Sequence, residues 1–130
     1  MAMTLPRLTA EQLGGAADAA LAEAASQLRG LLAELASRLR PFPAFLNMAS
    51  IQAVELDPPV GSAADRGCVV VCPDGEICQL SLRSFQGAEG VSEIDQLEEL
   101  LELELPAEEY ILYAATAIRL LMEELGRRGR

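Results

Sequence analysis

The run Cys72-Pro73-Asp74-Gly75-Glu76 constrains what this chain can fold into more tightly than any other. Proline presets φ at the first turn position, aspartate suits the second, and glycine supplies the positive φ that closes a three-residue hairpin loop. The apolar runs on either side, Cys68–Cys72 and Glu76–Phe85, are therefore two antiparallel strands in a fixed register. Cys72 faces Glu76, Val70 faces Cys78, and Cys68 faces Leu80. Alternation along each strand then sorts the side chains. Cys68, Val70, Cys72, Cys78, Leu80 and Leu82 share one face with Glu76. Val69, Val71, Ile77, Gln79, Ser81 and Arg83 share the other, with Phe85 beyond them.

All three cysteines thus fall on one face, the first requirement of a metal site. The remaining requirements fail. Cα atoms two residues apart along a strand are separated by roughly 7 Å, too far to converge on one tetrahedral ion. The spacing C-x3-C-x5-C matches no zinc-finger pattern, and the chain has no histidine to complete a ligand set. The cysteines read as small apolar residues of the core face. On the opposite face, Val69, Val71, Ile77 and Phe85 are too apolar to stay wet, which makes them a candidate surface for a partner.

Two helical segments flank the strands. Leu8-Thr9-Ala10-Glu11-Gln12-Leu13 carries a cap, a capping-box partner and a hydrophobic staple. Gly14 and Gly15 weaken the first turns, so a firm start near Ala16 is expected. Ala17, Leu21, Ala24, Leu28, Leu31, Leu35 and Leu39 then recur at helical spacing, widened by Leu32, until Pro41 stops the helix. A helix over residues 9–40 is longer than a compact domain of this size is wide. It must break, pack against a second long helix, or meet another subunit. Residues 92–125 read as helical too, with Ser92 capping a first segment through Leu97, Leu100 and Leu101. "LELELP" alternates like a strand, but glutamate and leucine favour helix. Pro106 opens the last helix, whose stripe is Ile111, Ala114, Ala115, Ile118, Leu121, Met122 and Leu125, with Gly126 as its stop.

Between the first helix and the hairpin, "PFPAFLNMAS" gathers Phe42, Phe45, Leu46 and Met48 in a proline-stiffened connector. These side chains either plug the core or, if exposed, form a docking patch. Ser50–Asp57 has β character, giving a three-stranded sheet over residues 50–85.

Composition narrows the function. Without histidine there is no imidazole base and no His-ligated metal. No residue set fills the roles of nucleophile, base and oxyanion donor, so an enzyme is not expected, nor is a cofactor. The net charge is −10, concentrated over residues 92–125, while residues 1–50 balance four acidic groups against four arginines. Such acidity repels nucleic acid and anionic membrane. The acidic run Glu93–Glu109 reads as a solvated face, and the short basic tail 126–130 as an exposed end. No apolar stretch has the length of a signal peptide or a membrane span, and three cysteines make no disulfide scaffold, so the cytoplasm is expected.

The expected architecture is one α+β domain over residues 1–130. A three-stranded antiparallel meander packs against a long N-terminal helix and one or two C-terminal helices. The expected function is a non-enzymatic protein-interaction, chaperone-like or regulatory domain, acting as a homodimer or on another protein. Phe42, Phe45, Met48, Val69, Val71, Ile77 and Phe85 are its candidate surface. The alternative is a small-ligand binding protein with an apolar pocket between sheet and helices.

Overall fold

The structure is a computed structural model that describes residues 7–45, 48–60, 66–84 and 96–129, excepting the side chains of 48–50, 82–84 and 96–99. Its architecture is α+β, with a long helix at each end of the chain and antiparallel strands between them. Helix α1 spans Ala10–Ser37 without interruption. Its start is the capping box read from the sequence. The Thr9 hydroxyl accepts from Gln12 N at 3.1 Å, and Thr9 N donates to Gln12 Oε1 at 2.9 Å. With both groups satisfied, Gly14 and Gly15 are carried inside the helix rather than preceding it.

After α1, β1 (Ala44–Phe45) pairs with β2 (Met48–Gln52) as a small hairpin. Following Ala53, the chain continues as β3 (Val54–Leu56), β4 (Cys68–Val71), β5 (Ile77–Ser84) and β6 (Gln96–Glu102), four strands in the order β3-β4-β5-β6. Helix α2 (Ala107–Arg128) closes the described chain. The central register is the one the turn dictated: Val70 lies opposite Cys78 and Cys68 opposite Leu80. Cys72 N donates to Glu76 O at 2.9 Å and Gly75 N to Cys72 O at 2.8 Å, while Asp74 Oδ1 accepts from Glu76 N.

Two expectations are corrected here. Residues 96–102 are a strand, not the helix expected over 92–125. The Leu/Glu alternation fits the pleat, and seven residues pair with β5 from Cys78↔Glu102 to Ser84↔Gln96, so ladder formation outweighs helix propensity. Gly126 does not stop α2, which runs on to Arg128 and is held there by Arg128 Nε donating to Glu124 Oε2 at 2.8 Å. The expected Ser50–Asp57 strand is present but split at Ala53 between two sheets. Ser92 and Phe85 lie outside the described residues.

Packing divides into two cores, one on each face of the four-stranded sheet. On the first face Leu56, Val69, Val71 and Ile77 meet Ala25, Leu32 and Ala36 of α1 and Tyr113, Ala117 and Leu121 of α2. On the second, Val70, Cys72 and Leu80 meet Phe45, Ile51 and Ala53 from the β1–β2 segment, flanked by Cys68 and Cys78. A bidentate ion pair ties the start of β4 to α2, with Arg66 Nε and Nη2 donating to the two Glu109 oxygens at 3.0 and 2.7 Å.

The face assignment is therefore reversed. The hairpin partitions its side chains as expected, yet the helices cover the Val69/Val71/Ile77 face, and the cysteine face is covered by β1–β2. Both faces are apolar, so alternation alone says which residues travel together and not what lies over them.

Candidate interaction surface

The expected docking residues lie mostly inside the chain. Phe42, Phe45, Val69, Val71 and Ile77 are each no more than 5% exposed. Phe42, Val69, Val71 and Ile77 belong to the sheet–helix core, and Phe45 plugs the second core. These five offer no free surface on this chain. Met48 sits on β2 with its side chain outside the described set, as does the whole of Phe85.

An apolar surface exists elsewhere, on the outer side of the helix layer, away from the sheet. Helices α1 and α2 run parallel: Asp18 and Leu21 neighbour Pro106–Glu108, Arg29 stacks over the Tyr110 ring at 4.4 Å, and Leu31–Arg38 lies beside Ile118–Leu125. The side of α1 turned into the core carries buried Ala25, Leu32 and Ala36, with Leu28 and Leu35 packed partly against them. The adjacent line is left on the outside. Between the helices it forms a groove of about 550 Å³ lined by Leu31, Leu35, Ile118, Met122 and Leu125, with Glu34 and Arg38 at the rim. Leu31 and Met122 are each 54% exposed. The two rim charges neutralise one another, with Arg38 Nη2 2.8 Å from Glu34 Oε1. In a chain of net charge −10, this groove is locally uncharged.

Further up α1 the surface continues. Every residue from Glu11 to Ala20 is exposed, and Leu13, in line with Ala17, Ala20, Ala24 and Leu31, is 56% exposed. Because α2 first comes alongside near Asp18, the opening turns of α1 project beyond the helix pair.

The sequence offers the Ala/Leu stripe of α1, Leu31 included, as a face a second subunit could bury, but sets Met122 on a buried stripe and does not join the two helices into one surface. The signal was present as width. A helix covering one neighbour needs a single apolar stripe, whereas α1 carries Leu28, Leu31, Leu32 and Leu35, and α2 carries Ile118, Leu121, Met122 and Leu125, over an arc too broad for one partner.

Two further constellations stand among the described residues, the cysteines and a polar cleft. The thiols of Cys68, Cys72 and Cys78 are free, and the first and last are partly buried. Burial, reinforced by the neighbouring Cys78, pushes the Cys72 thiol up to about 12. Burial likewise raises Cys68, aided by Glu55, whose Oε2 accepts from its Sγ at 3.8 Å. Cys78 is raised by burial as well, although its hydrogen bond with Cys72 acts the other way. Thiols held protonated are poor nucleophiles and poor metal ligands. No group of three or more potential ligands is placed to hold a metal among the described residues.

A second cleft, of about 710 Å³, opens between the turn, the end of β6 and α2. Asp74, Glu76, Glu102 and Glu104 line it beside Arg29 and Tyr110, so it is polar where the helix groove is apolar. The space between sheet and helices is filled by Tyr113, Leu32, Leu121, Val69 and Val71, none more than 2% exposed. No helix among the described residues is long and apolar enough to cross a membrane. No family model, curated protein or solved structure matches this chain.

Proposed function

We propose that this chain is a non-enzymatic protein-interaction domain, adaptor-like or regulatory, that works as a homodimer. The observation that supports this reading is the groove on the outer side of the helix layer. Leu31 and Met122 are large, apolar and half in water, side by side on two rigid helices, in an otherwise strongly acidic molecule. Apolar surface contiguous across two elements, with its charges confined to a self-neutralised rim, has the anatomy of an interface. The raised thiol pKa values and the lack of an imidazole are consistent with a role that involves no bond chemistry.

The test is retention of proteins on the immobilised full chain, compared with a Leu31→Glu/Met122→Glu variant. Both positions are exposed in the single chain, so the variant should still fold, with helical circular dichroism and a cooperative melt. At least one protein held by the wild type is expected to be lost from the variant, the chain's own untagged copies included. If every retained protein is held equally by both, the groove is not an interaction surface.

A further inference from the structure

The occupant of the groove can be argued from the shape of α1. We infer that it is a second copy of this chain, docked about a two-fold axis at Ala24, so that the projecting start of each α1 lies antiparallel in the other's groove. This rests on the interaction reading above and adds the partner and the register.

Three observations lead there. The first is a match in length and position. The part of α1 that projects past α2 is residues 10–17, and the part that lines the groove is residues 31–38. Each is about 12 Å of helix. An antiparallel pairing about Ala24 lays one on the other: Leu13 meets Leu35 of the second copy, Ala17 meets Leu31, and Ala24 meets Ala24. A two-fold contact must be self-complementary in this sense, and a heterologous partner has no reason to share the numerical symmetry.

The second is the residue type along the line. Small residues at Ala20 and Ala24 lie at the axis, where two helix backbones come closest, while Leu13, Leu31 and Leu35 lie farther out, Leu31 opposite the small Ala17. The projecting turns also need support. A run of ten consecutive exposed residues rich in alanine and glycine is a marginal helix in water.

The third is charge. Two copies of a −10 chain repel each other, and the penalty is smallest where the facing surfaces carry no charge of their own. The line through Leu13, Ala17, Ala20, Ala24 and Leu31 contains no charged residue at all. In extent the helix layer is about 40 Å long and roughly 20 Å wide, or on the order of 800 Å² per copy, which is the size of a standard stable interface.

The experiment is sedimentation equilibrium on the full chain and on two single variants, Ala17→Arg and Leu31→Glu, alone and mixed. Both residues are exposed in the isolated chain, so neither change should unfold it. The wild type is expected to be a dimer at tens of micromolar. Each variant alone should dissociate at least tenfold more readily. Their equimolar mixture should recover dimer. In the heterodimer the guanidinium introduced at position 17 of one copy faces the carboxylate introduced at position 31 of the other, and the second Ala17–Leu31 contact stays native. A wild type that stays monomeric overturns the proposal, and so do single variants that remain dimeric. A mixture no more dimeric than its components overturns the register. A monomeric wild type whose groove variant still loses a retained foreign protein would sink the second-copy inference alone. Retention that is indifferent to the groove variant would sink the interaction reading itself.

Discussion

Gly75 shows how a single residue can be legible for one reason and indispensable for another. Its φ of +87° is what the hairpin loop requires, and the sequence announces it. The turn also lies flat against α1. A Cβ built at Gly75 would stand 2.7 Å from Ala33 N and 2.8 Å from Leu32 C, which are backbone atoms that cannot step aside. Gly75→Ala therefore combines a left-handed conformation with a backbone clash, and urea unfolding should show a loss of about 3 kcal/mol or more. Asp74→Ala removes only the 2.9 Å bond from Glu76 N at an exposed site and should cost about 1 kcal/mol.

Two titrations belong to the same scale. The folded chain holds the Cys72 proton up to about 12, whereas the unfolded thiol releases it near 9.0. Above pH 9 the unfolded state gains thiolate that the folded state cannot, so stability should decline as pH rises from 9 towards 12. Cys72→Ala should make that slope shallower while retaining the fold, with Cys68 and Cys78, also raised by burial, supplying the remainder, and a thiol reagent at neutral pH should label Cys72 far more slowly in the native than in the denatured protein. At the acid end the sign reverses. The Arg66 guanidinium holds the Glu109 carboxyl below its ordinary value of 4.5, so the stabilisation exists above that pH and is lost as pH falls through the lower, folded value. A Glu109→Gln variant should melt earlier at neutral pH and show a shallower loss on acidification, as read from thermal melts across the acid range.

Among the elements, the long helix and the turn-bounded strands could be read because each is specified locally, by the capping box at Thr9 and Gln12 and by the Pro-Asp-Gly loop. Strand β6 could not. Its leucines and glutamates satisfy both a helix and a strand, and the ladder with β5 that decides between them is a tertiary fact. The β1–β2 segment was hidden differently. Phe45, Ile51 and Ala53 are too few and too scattered to show a period, and only their burial against Val70 and Leu80 makes them a layer. The surface groove was obscured because α1 and α2 each carry more apolar residues than one face can hold, and periodicity does not rank them. Fully buried Leu32 and Leu121 can be set against exposed Leu31 and Met122 to make the ranking measurable. Leu32→Ala or Leu121→Ala should each cost about 2–5 kcal/mol in chemical denaturation, and Leu31→Ala well under about 1 kcal/mol in the monomer.

Taken whole, the molecule carries a net charge of −10 but leaves an uncharged apolar line along its helix flank. Self-association through that flank buries apolar surface while bringing two −10 bodies together. Added salt should therefore tighten the dimer by screening the repulsion, since almost no attractive ion pair is there to be weakened. Sedimentation at about 20 mM and about 300 mM NaCl checks this, and a dimer that loosens with salt would indicate an interface built on charge instead.

The parallel course of α1 and α2 has a consequence for how the two ends of the described chain are addressed. Ala10 begins α1 at one end of the helix layer and Arg128 finishes α2 at the other, roughly 40 Å away by the helix rise. Across the two-fold, the relation inverts: one copy's Ala10 comes to rest near the other's Arg38, beside the end of its α2. A fluorescent donor before α1 and an acceptor after α2 would then report on neighbours rather than on the chain that carries them. Assembly could be followed by light alone.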